Sequence, residues 1–180
     1  RLFLLHYILF VWSSACLLHL QLVIWSTIDN VLNLFLNKIS AKHLDFDKDI
    51  DELPKTLNGD EGKIKRILAN LIDNAIKYTE IGYIRLSVHS EIKNKICHLE
   101  IIVEDTGIGI AKKHQKTLFT NFNRSIDHLN SSKSGVGLGL SITKSLVDIM
   151  EGKITCESSL GNGTKFTVKI KQKVVTKWKP

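Results

Sequence analysis

Asn70, Asn74 and Lys77 stand at i, i+4 and i+7 within the stretch NLIDNAIKYT, so a helix there lines all three along one face. The amide oxygen of an Asn suits a hard cation such as Mg²⁺, which takes oxygen ligands and keeps several waters. A Lys one turn further on is a point charge for phosphate. Two more stretches of chemical interest follow. DTGIGI, residues 105 to 110, comes directly after an apolar run. Its Asp105 could accept a hydrogen bond from an exocyclic amine such as that of adenine, and the glycines behind it let backbone approach a ligand. GVGLGL, residues 135 to 140, opens a helical pattern, where free backbone N–H groups suit an anion.

Each stretch has an ordinary alternative. Asn and Lys populate solvated helix faces, D-x-G is common turn chemistry, and a single glycine-rich loop is weak evidence. No G-x-x-x-x-G-K-[ST] occurs, and GVGLGL follows no strand as a dinucleotide fingerprint would. Together they describe a nucleotide site without a P-loop: a Mg²⁺ ligand, a phosphate cation, an adenine acceptor and a glycine lid. Asn74 and Asp105 lie 31 residues apart, and Asp105 and Gly135 lie 30 apart.

The elements that must hold these residues are readable from periodicity. Ile64, Ile67, Leu68, Leu71, Ile72, Ala75 and Ile76 form an apolar helical face opposite the polar row. Asp60 is placed to cap that helix, with Glu61 in its first turn. An amphipathic helix is expected over 27 to 43, and LDFDKDI alternates as a strand. GYIRLSVHS and ICHLEIIVED read as strands joined through EIKNK. A short helix is expected near 112 to 120, then a helix on LGLSITKSLVDIM and a last hairpin around LGNG. That order predicts an α/β (α+β) two-layer sandwich, a mixed β-sheet covered on one face by about three helices.

Bulk properties bound the rest. Hydrophobic content of 43% and charged content of 24% in 180 residues suit a folded domain with a short extra segment. The net charge of +7 does not point to nucleic acid. Lys165, Lys169, Lys171 and Lys173 alternate with Phe166, Val168 and Ile170, as on a strand with one wet face, and no basic–aromatic cluster suits a single strand. Cys16, Cys97 and Cys156 have no C-x-x-C or metal spacing and read as small buried residues of a reducing compartment. The chain opens at Arg1 and its only Met is Met150, which reads as a piece of a longer protein. Residues 2 to 25 carry no Asp, Glu, Lys or Arg and are long enough to span about 30 Å of hydrocarbon. A buried or interfacial helix is the competing expectation for this N-terminal hydrophobic helix, assigned to residues 1–26. If it spans, Lys38 and Lys42 beyond it favour a cytoplasmic-facing domain.

These stretches resemble the ATP-binding domain of sensor histidine kinases, in the superfamily that also holds Hsp90, DNA gyrase B and MutL. NLIDNAIKYT looks like the N box, DTGIGI the G1 box, LFTNFNR (118 to 124) the F box, GVGLGL the G2 box and GNGTKFTVKI (161 to 170) the closing strand motif. The resemblance runs from about residue 27 to 171, implying a domain over 27–173, a tail over 174–180 and a Bergerat-type ATP-binding fold. The lead-in ISAKHLDFDKDIDELPKTLNGDEGKIKRIL is similar to hybrid kinases that carry receiver domains.

By resemblance, Asn74 coordinates Mg²⁺, Asn70 supports metal and phosphates, and Lys77 binds phosphate. Tyr78 borders the nucleotide, Asp105 takes the adenine amine, and Gly107 and Gly109 give close approach. Arg124 reaches toward the terminal phosphate, and Gly135, Gly137 and Gly139 belong to a lid over ATP. Ile110, Phe122, Val136, Leu138, Leu140 and Thr164 complete the implied ATP contacts. The sequence departs from the family at Val136 (a Thr is usual), Ala111 (a Pro) and Arg66 (a Gln). None of these removes a ligand to metal or adenine.

The implied partners are a histidine-bearing dimerisation domain and a response-regulator receiver domain. None of the seven histidines (6, 19, 43, 89, 98, 114, 128) has the acidic neighbour and following Pro of a phosphoacceptor. The expected activity is therefore half of a phosphoryl-transfer site. A degenerate nucleotide-binding signalling module without transfer remains the alternative. A gyrase- or Hsp90-type hydrolase would need a Glu on the N-box helix to activate water, and the turn before Asn74 offers Asn70 and Leu71 instead.

Overall fold

Strand ICHLEIIVED sets the layering, because its alternate residues Cys97, Leu99, Ile101 and Val103 are all 1% exposed or less. In the computed structural model, which describes residues 21–22, 24–54, 57–120 and 138–175, this strand is β5 (Ile96–Asp105). The others are β1 (Gln21–Leu22), β2 (Asp45–Ile50), β3 (Leu57–Asn58), β4 (Tyr83–Lys93), β6 (Lys153–Ser158) and β7 (Thr164–Val174). The helices are α1 (Ile24–Ala41), α2 (Glu61–Tyr78), the short α3 (Lys112–Gln115) and α4 (Gly139–Ile149).

The seven strands form one sheet in the order β1-β3-β7-β5-β4-β2, with β6 also paired to β7. β2 runs parallel to β4 and the remaining pairs are antiparallel, so the sheet is mixed as expected. Helix α2 packs over β5, with α1 and α4 on its flanks. Its seven apolar residues are the ones expected: Ile64, Ile67, Leu68, Leu71 and Ile72 are fully buried, Ala75 and Ile76 nearly so. Each of the six Ile and Leu burials contributes about 1.5–3 kcal/mol relative to exposure. Asp60 caps α2 by accepting from the Lys63 N–H at 3.0 Å. The side-chain bond from Lys63 holds its carboxyl below the usual range. The loop after β4 is tighter than expected: Asn94 and Lys95, both at positive φ, turn the chain in two residues, the geometry that matches strand twist.

The N-terminal hydrophobic segment needs a correction. Residues 1–20 lie outside the described residues. Beyond them, Gln21 and Leu22 are extended and pair with β3, so the run 2 to 25 does not end as one helix. Ile24 of α1 is fully buried in the domain core, which an uncharged run cannot announce, since core and membrane ask for the same side chains. Among the described residues no helix is long and apolar enough to cross a membrane. The sheet also takes in Val174, paired with Leu57, one residue past the expected end at 173.

Lys38 and Lys42 have local partners. Lys38 Nζ lies 3.1 Å from Asp73, and Lys42 Nζ donates to the Ile76 and Thr79 carbonyls at 2.7 and 3.0 Å. Lys42, one residue past the end of α1, thus caps the negative end of α2. Lys42→Met, which keeps the aliphatic stem, is expected to cost about 1–2 kcal/mol. A lower urea midpoint at unchanged slope is the measurement.

On the outer face of the sheet, acids neighbour the lysines: Glu100 meets Lys169 at 2.9 Å and Asp47 meets Arg85 at 2.7 Å. The first of these pairs partners one lysine of the basic stripe, Lys169, with a carboxylate of the neighbouring strand. Cys97 and Cys156 are free thiols, the first buried and the second half-buried; Cys16 lies outside the described residues.

Candidate functional site

Asp105 is the last residue of the buried row of β5, so strand alternation turns its carboxyl to the helix side of the sheet. It is 6% exposed. One carboxyl oxygen accepts from the Gly107 N–H at 2.8 Å. Burial pushes its pKa up to about 6, with Glu104 adding to the rise, while the backbone N–H groups of Gly107 and Thr164 oppose it. Thr164 pairs with Asp105 across the β5–β7 ladder and is itself buried. Burial, and after it the charges of Asp105 and Glu157, push the neighbouring Cys156 thiol to about 12. A thiol that high is no nucleophile; it is a small wall residue.

The loop after Asp105 is pinned on three sides. Ile108 N–H donates to the Tyr78 carbonyl at 3.2 Å, tying the loop to the end of α2, and its own carbonyl accepts from Gly161 at 2.8 Å. Ile110 N–H donates to Ser158 Oγ at 2.8 Å, and Ser158 in turn donates to the Gly163 carbonyl at 2.7 Å. Gln115 of α3 donates to the carbonyls of Ile110 and Ser158, both at 2.8 Å. The glycines serve this packing: a Cβ on Gly107 would sit 2.3 Å from the Tyr78 carbonyl oxygen, and one on Gly109 2.0 Å from that of Ser159. Both glycines thus allow a close approach of backbone to backbone.

Asn70, Asn74, Lys77 and Tyr78 are all half-buried along α2. Since α2 covers the inner face, Asn74 and Asp105 lie on the same side of the sheet. Asn70 Nδ2 donates to Thr143 Oγ1 of α4 at 2.5 Å. The Asn74 Nδ2 atom is buried and has no hydrogen-bond partner among the described residues; an orphaned buried amide N–H costs about 1–3 kcal/mol. The Lys77 ammonium lies 5.1 Å from the Tyr78 ring centroid, within cation–π range.

Helix α4 begins beside this row. Its N-cap position is Leu138, which supplies no side-chain cap, and Leu138, Gly139 and Leu140 are half-buried. A Cβ on Gly139 would fall 2.3 Å from Asn70 Oδ1, so this glycine lets Asn70 lie against the first turn. Phe122, Arg124, Gly135, Val136 and Gly137 lie outside the described residues.

Three positions escaped sequence reasoning. Ser158 and Gln115 pin the loop after Asp105, and Thr143 engages Asn70 across 73 residues of chain. No local spacing marks such contacts. Among the described residues, no three His, Cys, Asp or Glu are grouped to hold a metal. A cavity of about 490 Å³ lined by His89, His98, Glu100 and Lys169 opens on the outer face and includes none of the expected site residues.

Hybrid signal transduction histidine kinase B of Dictyostelium discoideum is 40% identical over 146 residues, covering 79% of this chain and 7% of that protein. Signal transduction histidine-protein kinase BarA of Escherichia coli (strain K12) is 35% identical over 143 residues, 78% of this chain and 16% of that one. The chain therefore spans less than a fifth of these relatives. Among solved structures, full-length ShkA in complex with AMPPNP superposes with a TM-score of 0.73 at 26% identity, covering 87% of this chain and 31% of ShkA. Residues 59–174 match the model of the histidine kinase-, DNA gyrase B- and HSP90-like ATPases, and the chain belongs to that family as an ATP-binding catalytic domain of histidine-kinase type.

Proposed function

We propose that this domain binds ATP with Mg²⁺ and presents the γ-phosphoryl to a histidine on a dimerisation domain, within a hybrid sensor kinase that serves a receiver domain. The observation that carries it is the buried Asp105 carboxylate on the same face of the sheet as the half-buried α2 row of Asn70, Asn74 and Lys77. Asp105 accepts the adenine amine, with Thr164 beside it and Gly107, Gly109 and Ile110 shaping the floor. Tyr78 borders the base, and Lys77 neutralises phosphate. Leu138, Gly139 and Leu140 bring the uncapped start of α4 to the phosphates. Gly135 and Gly137 retain their sequence-based place in the lid, Arg124 its reach toward the terminal phosphate, and Phe122 and Val136 their ATP contacts.

Asn74 suits Mg²⁺ in kind: it offers one neutral hard oxygen, which fits an ion that arrives on the triphosphate and keeps its other ligands as phosphate and water. Bound there, the ion neutralises charge on the phosphate oxygens. The chain's own contribution is positioning: Asp105 fixes the base and the α2 row fixes the phosphates. The acceptor imidazole nitrogen then bonds to the γ-phosphorus as the bond to the β–γ bridging oxygen breaks, and ADP leaves.

The test supplies a cognate dimerisation domain and γ-labelled ATP. Label on a histidine, reduced at least about tenfold by Asn74→Ala, is the expected result. Tight nucleotide binding with no label on any histidine would make this a nucleotide-binding signalling module without transfer.

A further inference from the structure

Thr143 is nearly fully buried, at 1% exposure, in the second turn of α4. Its hydroxyl donates to the Gly139 carbonyl at 3.1 Å, the residue one turn back. With its single proton spent there, Oγ1 can serve Asn70 only as an acceptor. The group facing it at 2.5 Å must then be the NH₂ end of the Asn70 amide. The amide oxygen is left against the Cα of Gly139, at the start of α4. Side-chain amides are otherwise free to present either end, and here one hydroxyl decides.

We propose that Thr143 is a positioning residue for nucleotide binding, holding the Asn70 amide with its oxygen toward the phosphate end of the cleft. The proposal rests on the nucleotide reading above, because it assigns what that orientation is for. An amide oxygen attracts a metal–triphosphate through the cation. An amide turned about would meet the cation with its NH₂ group, positive end first. Gly139 guards the same arrangement from the other side, since any side chain there would collide with the oxygen at 2.3 Å. The three groups form one chain of hydrogen bonds, Asn70 to Thr143 to the Gly139 carbonyl, and it joins α2 to α4 where the two helices meet.

The experiment is titration calorimetry of the domain with Mg·AMPPNP and, separately, with adenosine, which lacks phosphates and metal. Thr143→Val keeps the shape and removes the hydroxyl; Thr143→Ser keeps the hydroxyl. Thr143→Val is expected to weaken Mg·AMPPNP about tenfold. Adenosine affinity, and both affinities of Thr143→Ser, are expected to stay within about twofold of the parent. In an Asn70→Ala background, Thr143→Val is expected to add no further loss for Mg·AMPPNP. Equal Mg·AMPPNP affinity for Thr143→Val and the parent overturns the proposal, as does an equal loss for adenosine or an added loss in the double variant. If Thr143→Val does not fold, Gly139→Ala displaces the same amide and is read against the same two ligands. A parent domain that binds neither ligand overturns the nucleotide reading itself, an outcome separate from a parent that binds both and a variant that matches it.

Discussion

Asp105→Ala is expected to weaken ATP binding by roughly ten- to a hundredfold, the loss of one hydrogen bond to a charged acceptor of about 1.5–3 kcal/mol. The size follows from where the carboxyl sits. It closes the buried row of β5, is 6% exposed, and already accepts from the Gly107 N–H, so no water readily replaces the lost acceptor. On the proposed adenine contact adenosine should lose as much as ATP, whereas a variant of the proposed phosphate row on α2 should spare adenosine. Unchanged affinity in a nucleotide titration would remove Asp105 from the site.

The same carboxyl gives the binding a pH signature. Its pKa stands at about 6 in the free protein because burial penalises the ionised form. An amine donor prefers the carboxylate, so binding below pH 6 must first release a proton. Affinity is therefore expected to hold above about pH 7 and to fall toward tenfold per pH unit below 6. Stability runs the other way. The folded pKa exceeds the ordinary 3.8, so between about pH 4 and 6 the folded state binds more protons, and this residue's contribution to stability declines as pH rises through that window. Asp105→Asn should flatten both profiles, and titrations at pH 5, 6 and 7.5 would show it.

The second large effect is expected from Gly163→Ala. Gly163 is at φ +75° at the end of the β6–β7 loop, and a Cβ there would lie 1.9 Å from the Asp105 carbonyl oxygen and 2.9 Å from the Thr106 Cα. Both are backbone atoms that cannot swing aside. The left-handed conformation alone costs an L-residue about 1–2 kcal/mol, and relieving the collision means parting β5 from β7 at the Asp105–Thr164 rung. A total above about 3 kcal/mol is expected, with loss of adenosine binding. Gly161 supplies the control: it sits in the same loop at φ +79°, but a Cβ there meets nothing within 4 Å. Gly161→Ala should show only the conformational cost of about 1–2 kcal/mol and bind nucleotide normally. Equal urea midpoints for the two variants would mean that the contact with the Asp105 backbone does not matter.

Much of this protein was determined by its sequence alone, wherever the cause is local. The apolar face of α2, the Asp60 cap, the wet and buried sides of β7 and the inward turn of Asp105 all follow from periods of 3.6 and 2 acting on neighbouring residues. Four family boxes in order carried the nucleotide reading for the same reason, since each box is a short continuous segment. What only the tertiary structure decided are contacts between segments far apart in the chain. Hydrophobicity could not say that Ile24 fills the core of this domain and that Gln21–Leu22 join its sheet. Charge could not say that Lys42 closes the end of α2. Nor could the glycine pattern show that Gly139 makes room for Asn70, or that Thr143 holds the NH₂ end of that amide. Those choices depend on which backbone atoms the fold brings within hydrogen-bonding or colliding distance, and spacing along one chain does not record distance in space.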